Sequence, residues 1–128
     1  MPIARKIALL VRFKQNFLSL PAYFTNMVSD EELVKTARSV AGKRSTSEEM
    51  IIGEVGAALE TKSGKVYTGI SVNAACGIGF CAEHSAIAKM LEKGETRIKK
   101  IVAVSEDRRI LPPCGRCREL MYQTDHEN

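Results

Sequence analysis

Val55-Gly56-Ala57-Ala58-Leu59, then Lys62-Ser63-Gly64-Lys65, then Val66-Tyr67-Thr68-Gly69-Ile70-Ser71-Val72 is the stretch whose reading decides the fold. Two short runs of small, β-branched and aromatic residues on either side of a Gly-containing turn predict an antiparallel hairpin. Asn73 to Phe80 reads as a loop of small residues. Beyond it Ala82, Ala86, Ile87, Met90 and Leu91 recur at helical spacing as far as Gly94. Ile101-Val102-Ala103-Val104, within 100–105, is a buried-type strand, and Pro113 suits the first turn of a last helix, where its missing N–H costs nothing. Upstream, Ser29-Asp30-Glu31-Glu32 forms a capping box ahead of Leu33, Val34, Ala37 and Val40, and Gly42 stops that helix. Residues 43–49 are a polar loop. The order helix, strand, strand, helix, strand, helix predicts an α/β domain with a mixed sheet covered by helices.

A chain of 128 residues, 45% hydrophobic and 27% charged, is the size and composition of one globular domain. The apolar runs at 7–11 and 18–24 are too short to cross a bilayer, which needs ~20 residues. The net charge of +4 is unevenly placed. Residues 1–28 hold Arg5, Lys6, Arg12 and Lys14 without an acid, so residues 29–128 are balanced. The first segment also carries Phe13, Phe17, Tyr23 and Phe24. Its composition is compatible with a basic extension, a targeting segment or an element packed on the domain. We therefore divide the chain into a basic, apolar segment, 1–28, and a chemistry-bearing domain, 29–128. A neutral body argues against a nucleic-acid partner, whose grooves are basic and aromatic. Without a convincing secretory signal the expected compartment is reducing and cytoplasmic, and disulfides are not expected.

The four cysteines are Cys76, Cys81, Cys114 and Cys117. Cys114-Gly115-Arg116-Cys117 at a helix start places two thiols on one face near the positive end of the helix dipole, which favours thiolates. Cys81 opens the earlier helix in the same way. One reading is a closed structural site of four cysteines including Cys76; another is a redox Cys-x-x-Cys. Glu83 argues against both. In Cys81-Ala82-Glu83 a carboxylate stands beside the metal without ligating it, and a three-ligand zinc keeps one position for a water of pKa ~7. Such a carboxylate can take and return protons. Cys-x-Glu followed by Pro-Cys-x-x-Cys is the zinc deaminase signature.

Over about residues 55–120 the chain resembles the zinc-dependent cytidine deaminase family, which includes the blasticidin-S deaminases. The resemblance rests on Val55–Leu59, Gly64–Gly69, Cys81-Ala82-Glu83-His84-Ser85-Ala86-Ile87 and Pro113-Cys114-Gly115-Arg116-Cys117-Arg118-Glu119. It implies a three-layer α/β/α sandwich, a homotetramer, and hydrolytic loss of ammonia from C4 of a cytosine nucleoside. It further implies that Cys81, Cys114 and Cys117 bind Zn²⁺, that Glu83 shuttles the proton, and that the main chain at Ala82 meets the base edge. Three thiolates and Zn²⁺ sum to −1, and we expect Arg116 to offset that charge, since His84 stands where many free-nucleoside deaminases have arginine.

The chain departs from the family in places. The Asn-x-Glu pair that reads the ribose falls on Ser71 and Asn73, which stay polar but lack the carboxylate, and the aromatic near the base falls on Gly53. Two strands that follow the last helix in the family have no counterpart after Cys117, and residues 7–24 resemble them faintly. The N-terminal segment is therefore a candidate for that edge of the sheet, with an unrelated extension as the alternative. These departures leave room for a blasticidin-S-type substrate, or for an inactive zinc-binding relative that serves as an assembly subunit. His126 is expected to be solvated.

Overall fold

The structure is a computed structural model that describes residues 11–12 and 27–128. Expectations for the rest of the first 26 residues lie outside the described residues. The elements are β1 (Val11–Arg12), α1 (Asp30–Val40), β2 (Arg44–Ser45), β3 (Met50–Thr61), β4 (Val66–Ala74), a 3₁₀ turn (Ala75–Gly77), α2 (Ala82–Glu92), β5 (Ile98–Ser105), β6 (Ile110–Leu111) and α3 (Gly115–Thr124).

β3 is the centre of the sheet, with β4 on one side and β5 on the other, both antiparallel to it. β4 and β5 therefore run parallel to each other, and α2 is the crossover between them. β2 pairs with the start of β3, and β1 and β6 both pair with β5. The period-2 alternation of strand side chains sorts the core into two layers. Ala57, Leu59, Ile101 and Ala103 face α2 and α3, packing on Ala82, Ala86, Ile87, Met90, Cys117 and Met121. Ala58, Val102 and Val104 face α1 and its Leu33, Val34 and Ala37. This is an α/β/α sandwich.

Close approach sets both helix positions. A Cβ on Gly56 would lie 2.2 Å from the Ala37 carbonyl oxygen on α1, and one on Gly69 would lie 2.4 Å from the Ala86 nitrogen on α2. The capping box closes α1: the Ser29 hydroxyl accepts from the Glu32 N–H at 3.1 Å, and the Glu32 carboxylate accepts from the Ser29 N–H at 3.0 Å.

The structure adds elements that the periodicity did not predict. β3 begins at Met50, five residues before the apolar run, because Gly53 and Glu54 interrupt the alternation at a bulge. Ile52 pairs with Val72 and Gly56 with Ile70, so four steps along β3 match two along β4. β2 and β6, two residues each, are defined only by their pairing with the nearby strands β3 and β5. The 73–80 stretch is tighter than a loop: β4 runs to Ala74, and Phe80 returns to bridge Val72.

At the other end of the sheet the fully buried Glu60 is placed in a charged cluster. Its Oε1 accepts from the Val28 N–H at 3.2 Å, and its Oε2 lies 3.3 Å from Lys100 Nζ. Lys100 also donates to the Val28 carbonyl and to Asp30 Oδ1. Both main-chain groups of Val28 are thus held by one buried ion pair, and Lys100 is the register partner of Arg12 in β1.

Candidate metal and active site

The three sites of chemistry meet at the start of α2 and α3. The main chain of Phe80 exchanges two hydrogen bonds of 2.9 Å with Val72, which locks the residue before Cys81 against β4. Cys81 is the N-cap of α2, and its carbonyl accepts from the His84 N–H at 3.1 Å. Cys114 is the N-cap of α3, which begins at Gly115, two residues later than Pro113 suggested, and its sulfur accepts from the Cys117 N–H at 3.5 Å.

These caps bring three sulfurs together. Cys81 Sγ lies 3.5 Å from Cys114 Sγ, which lies 3.4 Å from Cys117 Sγ, and all three fall within 4.8 Å of one another. These distances are far beyond a disulfide bond, ~2.05 Å. Four tetrahedral ligands at ~2.3 Å from zinc would sit ~3.8 Å apart, so the triangle has the right size for such an ion. Cys76, exposed and in the left-handed region at φ 60°, is not a member of the cluster.

Electrostatics fit a cation as well. Burial pushes the Cys81 and Cys117 thiols up, and the Glu83 carboxylate beside them adds to the rise. Burial also acts on Cys114, but N–H groups of Cys117 and Arg116 outweigh it and hold that thiol below the ordinary range. Glu83, 6% exposed in the first turn of α2, is buried next to sulfurs that it disfavours as thiolates. A divalent cation relieves that repulsion, so the residues present fit a thiolate-bound metal.

The other expected residues are placed as follows. Ala82 is fully buried at the first position of α2. Arg116 lines a groove of about 600 Å³ together with His84, Ile78, Phe80 and Leu91. Among the described residues His84 Nε2 is buried without a hydrogen-bond partner, and burial and the Arg116 charge lower its pKa. His126 is exposed, as expected, and stacks on Tyr122, with ring centroids 4.6 Å apart. The Ser71 hydroxyl accepts from the Val55 N–H at 3.0 Å, satisfying the donor freed by the bulge. Asn73 lies near the Glu54 carboxylate, which forms an ion pair with Lys43 at 3.0 Å. Periodicity did not single out Glu54; the one signal is the Gly53-Glu54 break in the alternation.

Paired helix starts presenting three cysteine sulfurs, with a buried carboxylate two residues past the first, define the class: an α/β/α domain with a cysteine cluster of metal-site geometry. Residues 27–128 match the family model described as the cytidine and deoxycytidylate deaminase zinc-binding region, and the chain belongs to that family. A cytidine deaminase from Halalkalibacterium halodurans is 41% identical over 71 residues, 55% of this chain and 54% of that protein. A blasticidin-S deaminase from Bacillus cereus is 38% identical over 76 residues, 52% of this chain and 54% of its own length. The chain thus spans about half the length of the curated relatives it matches. Among solved structures, cytidine deaminase from Mycobacterium leprae superposes with a TM-score of 0.64 at 31% identity, covering 76% of this chain and 81% of that one. Among the described residues no helix is long and apolar enough to cross a membrane.

Proposed function

We propose that the chain is a zinc-dependent aminohydrolase that converts cytidine, deoxycytidine or a related cytosine nucleoside to the uracil form with release of ammonia. The observation that carries this reading is the Glu83 carboxylate, buried beside the Cys81, Cys114 and Cys117 sulfurs. Cys81, Cys114 and Cys117 would hold the zinc, which when bound would supply an acidified water. Glu83 takes the water proton and delivers it to N3 of the ring, and later protonates the departing amine. The Ala82 main chain at the start of α2 orients the base edge. The dipoles of α2 and α3 point their positive ends at the thiolates, and Arg116 adds a full charge against the residual −1 of the site. Asn73 and Ser71 lie along β4 on the way to this site, and Asn73 offers an amide to the substituent on the ring.

A balanced domain suits a small uncharged substrate in the cytoplasm, as in pyrimidine salvage, rather than a nucleic acid or membrane. A homo-oligomer, a tetramer by analogy with the family, is favoured by the exposed Ile78, Phe80 and Leu91 along the Arg116 groove. Light scattering of the purified chain measures that directly.

The test is ammonia release from cytidine, deoxycytidine, cytosine and blasticidin S by protein of measured zinc content. Turnover of a cytosine nucleoside is expected. Release only from blasticidin S moves the assignment to the antibiotic, and zinc-loaded protein inert on all four marks a binding relative without activity.

A further inference from the structure

We infer that Cys114 and Cys117 form a redox modification site, where a hydroperoxide joins the two sulfurs in a disulfide and so closes the cluster to metal. The inference rests on the reading of the cluster as a zinc site.

The three sulfurs differ in access. Cys114 is exposed, Cys81 is half-buried and Cys117 is fully buried. A Cβ on Gly115 would meet no atom within 4 Å, so the surface over the Cys114–Cys117 turn is open. A small oxidant arriving from solvent therefore meets Cys114 first. Cys114 is also the common neighbour of the other two sulfurs, with Cys81 at 3.5 Å and Cys117 at 3.4 Å. Cys76 is exposed too, but stands outside the cluster.

Two partners lie within reach of Cys114, and packing chooses between them. Shortening the 3.4 Å contact to a bond of ~2.05 Å takes about 1.4 Å of sulfur travel. Cys114 and Cys117 share one helix start, where the Cys117 N–H donates to the Cys114 sulfur at 3.5 Å. Side-chain torsions are enough to close that gap. Cys81 begins a different helix. Phe80 before it exchanges two main-chain bonds of 2.9 Å with Val72, and Gly69 lies against the main chain of Ala82 and Ala86 after it. Joining Cys81 to Cys114 would pull α2 away from that packing.

The chemistry balances in two steps. The Cys114 sulfur attacks the hydroxyl oxygen of the hydroperoxide; the O–O bond breaks, an alcohol (water, from hydrogen peroxide) leaves with the thiol proton, and Cys114 becomes a sulfenic acid. The Cys117 sulfur then attacks the Cys114 sulfur. The S–S bond forms, the S–O bond breaks, and the hydroxyl leaves as water with the Cys117 proton. The two sulfurs together lose two electrons, which the peroxide gains. Metals are held by thiolates, so the disulfide removes two of the three ligands and leaves Cys81 alone. A dithiol reductant restores them.

The experiment treats zinc-loaded protein, its metal measured beforehand, with one equivalent of hydrogen peroxide and reads released zinc, free thiols and linkage in the same sample. Trypsin cuts after Arg116 and so puts the two cysteines on separate peptides that only the disulfide holds together. The loss of two thiols and one zinc per chain is expected, with Cys114 linked to Cys117. Dithiothreitol followed by zinc should restore the thiols and the metal. Cys76→Ser, which leaves the cluster whole, should lose the same two thiols and one zinc. A link that includes Cys81 or Cys76 overturns the inference. So does a Cys114 that passes on to the sulfinic acid while Cys117 stays a thiol, or a cluster that keeps its thiols through excess peroxide. Protein that takes up no zinc before the peroxide tells against the metal reading instead, and the linkage map of that same protein still decides whether Cys114 and Cys117 join.

Discussion

Arg116 follows Cys114 by two residues, precedes Cys117 by one, and lines the groove with His84. With zinc bound, three thiolates would leave a net charge of −1 beside the Glu83 carboxylate, and we propose that the Arg116 guanidinium offsets it. Replacing Arg116 with Ala is expected to lower kcat about tenfold, the effect of ~1.4 kcal/mol on the barrier, while zinc stays at one per chain. Unchanged turnover in a zinc-loaded variant contradicts the role. The cysteines and Glu83 were legible because their relation is local: two helix N-caps and the residues one turn beyond. Glu54 was not, since only the bulge in the β3–β4 register shows where its side chain goes. Ser71 was legible as polar, but its bond to the Val55 N–H depends on that same bulge.

At the scale of elements, α2 carries Cys81 and Glu83 and lies on β4 across Gly69. A Cβ on Gly69 would fall 2.4 Å from the Ala86 nitrogen and 2.5 Å from the Ala82 carbonyl oxygen, both main-chain atoms of α2. The helix, not a side chain, would have to move. Gly69→Ala is therefore expected to cost about 2–3 kcal/mol in urea unfolding and to weaken zinc binding by shifting Cys81 from its partners. A variant with wild-type stability and zinc affinity contradicts this packing. The hairpin, α1 and α2 were visible in the sequence because periodicity and caps are short-range signals. β2 and β6 were not, because two residues carry no periodicity and their pairing is decided by the strands beside them.

The N-terminal segment belongs to this scale too. Val11 and Arg12 pair with Ile101 and Lys100 on the outer edge of β5, and the Glu60–Lys100 pair grips Val28 from the same strand. We propose that Val11 and Arg12 cover this edge of β5, which deletion of residues 1–26 would expose. Deleting them is expected to produce aggregation or loss of activity, because an uncovered edge offers unpaired N–H and C=O groups to other chains. A soluble, active remainder, read by size-exclusion chromatography and ammonia release, contradicts it.

Across the whole molecule, Glu95 links the α2–β5 turn to the β3–β4 hairpin. Burial raises its pKa, but hydrogen bonds from Ser63, Thr61 and Tyr67 and the Lys65 ammonium outweigh that and hold it at about 2. Its oxygens accept from Ser63 Oγ at 2.6 Å and Tyr67 Oη at 3.0 Å. The folded pKa lies below the unfolded value of ~4.3, so the stabilisation is full above that value and disappears as the pH falls toward 2. Glu95→Gln should cost about 2 kcal/mol at neutral pH, and the gap from wild type should close in urea titrations as the pH falls from about 4.5 to 2. A gap that stays constant over that range contradicts this account of Glu95.

The central claim is that the buried carboxylate beside three cysteine sulfurs moves the protons of a deamination. Its most direct test is the rate of ammonia release from cytidine by wild type and Glu83→Gln, each with zinc measured in the same sample. The account predicts one zinc per chain in both proteins and a rate at least about a thousandfold lower in the variant. A zinc-loaded Glu83→Gln protein that deaminates cytidine at the wild-type rate would contradict it.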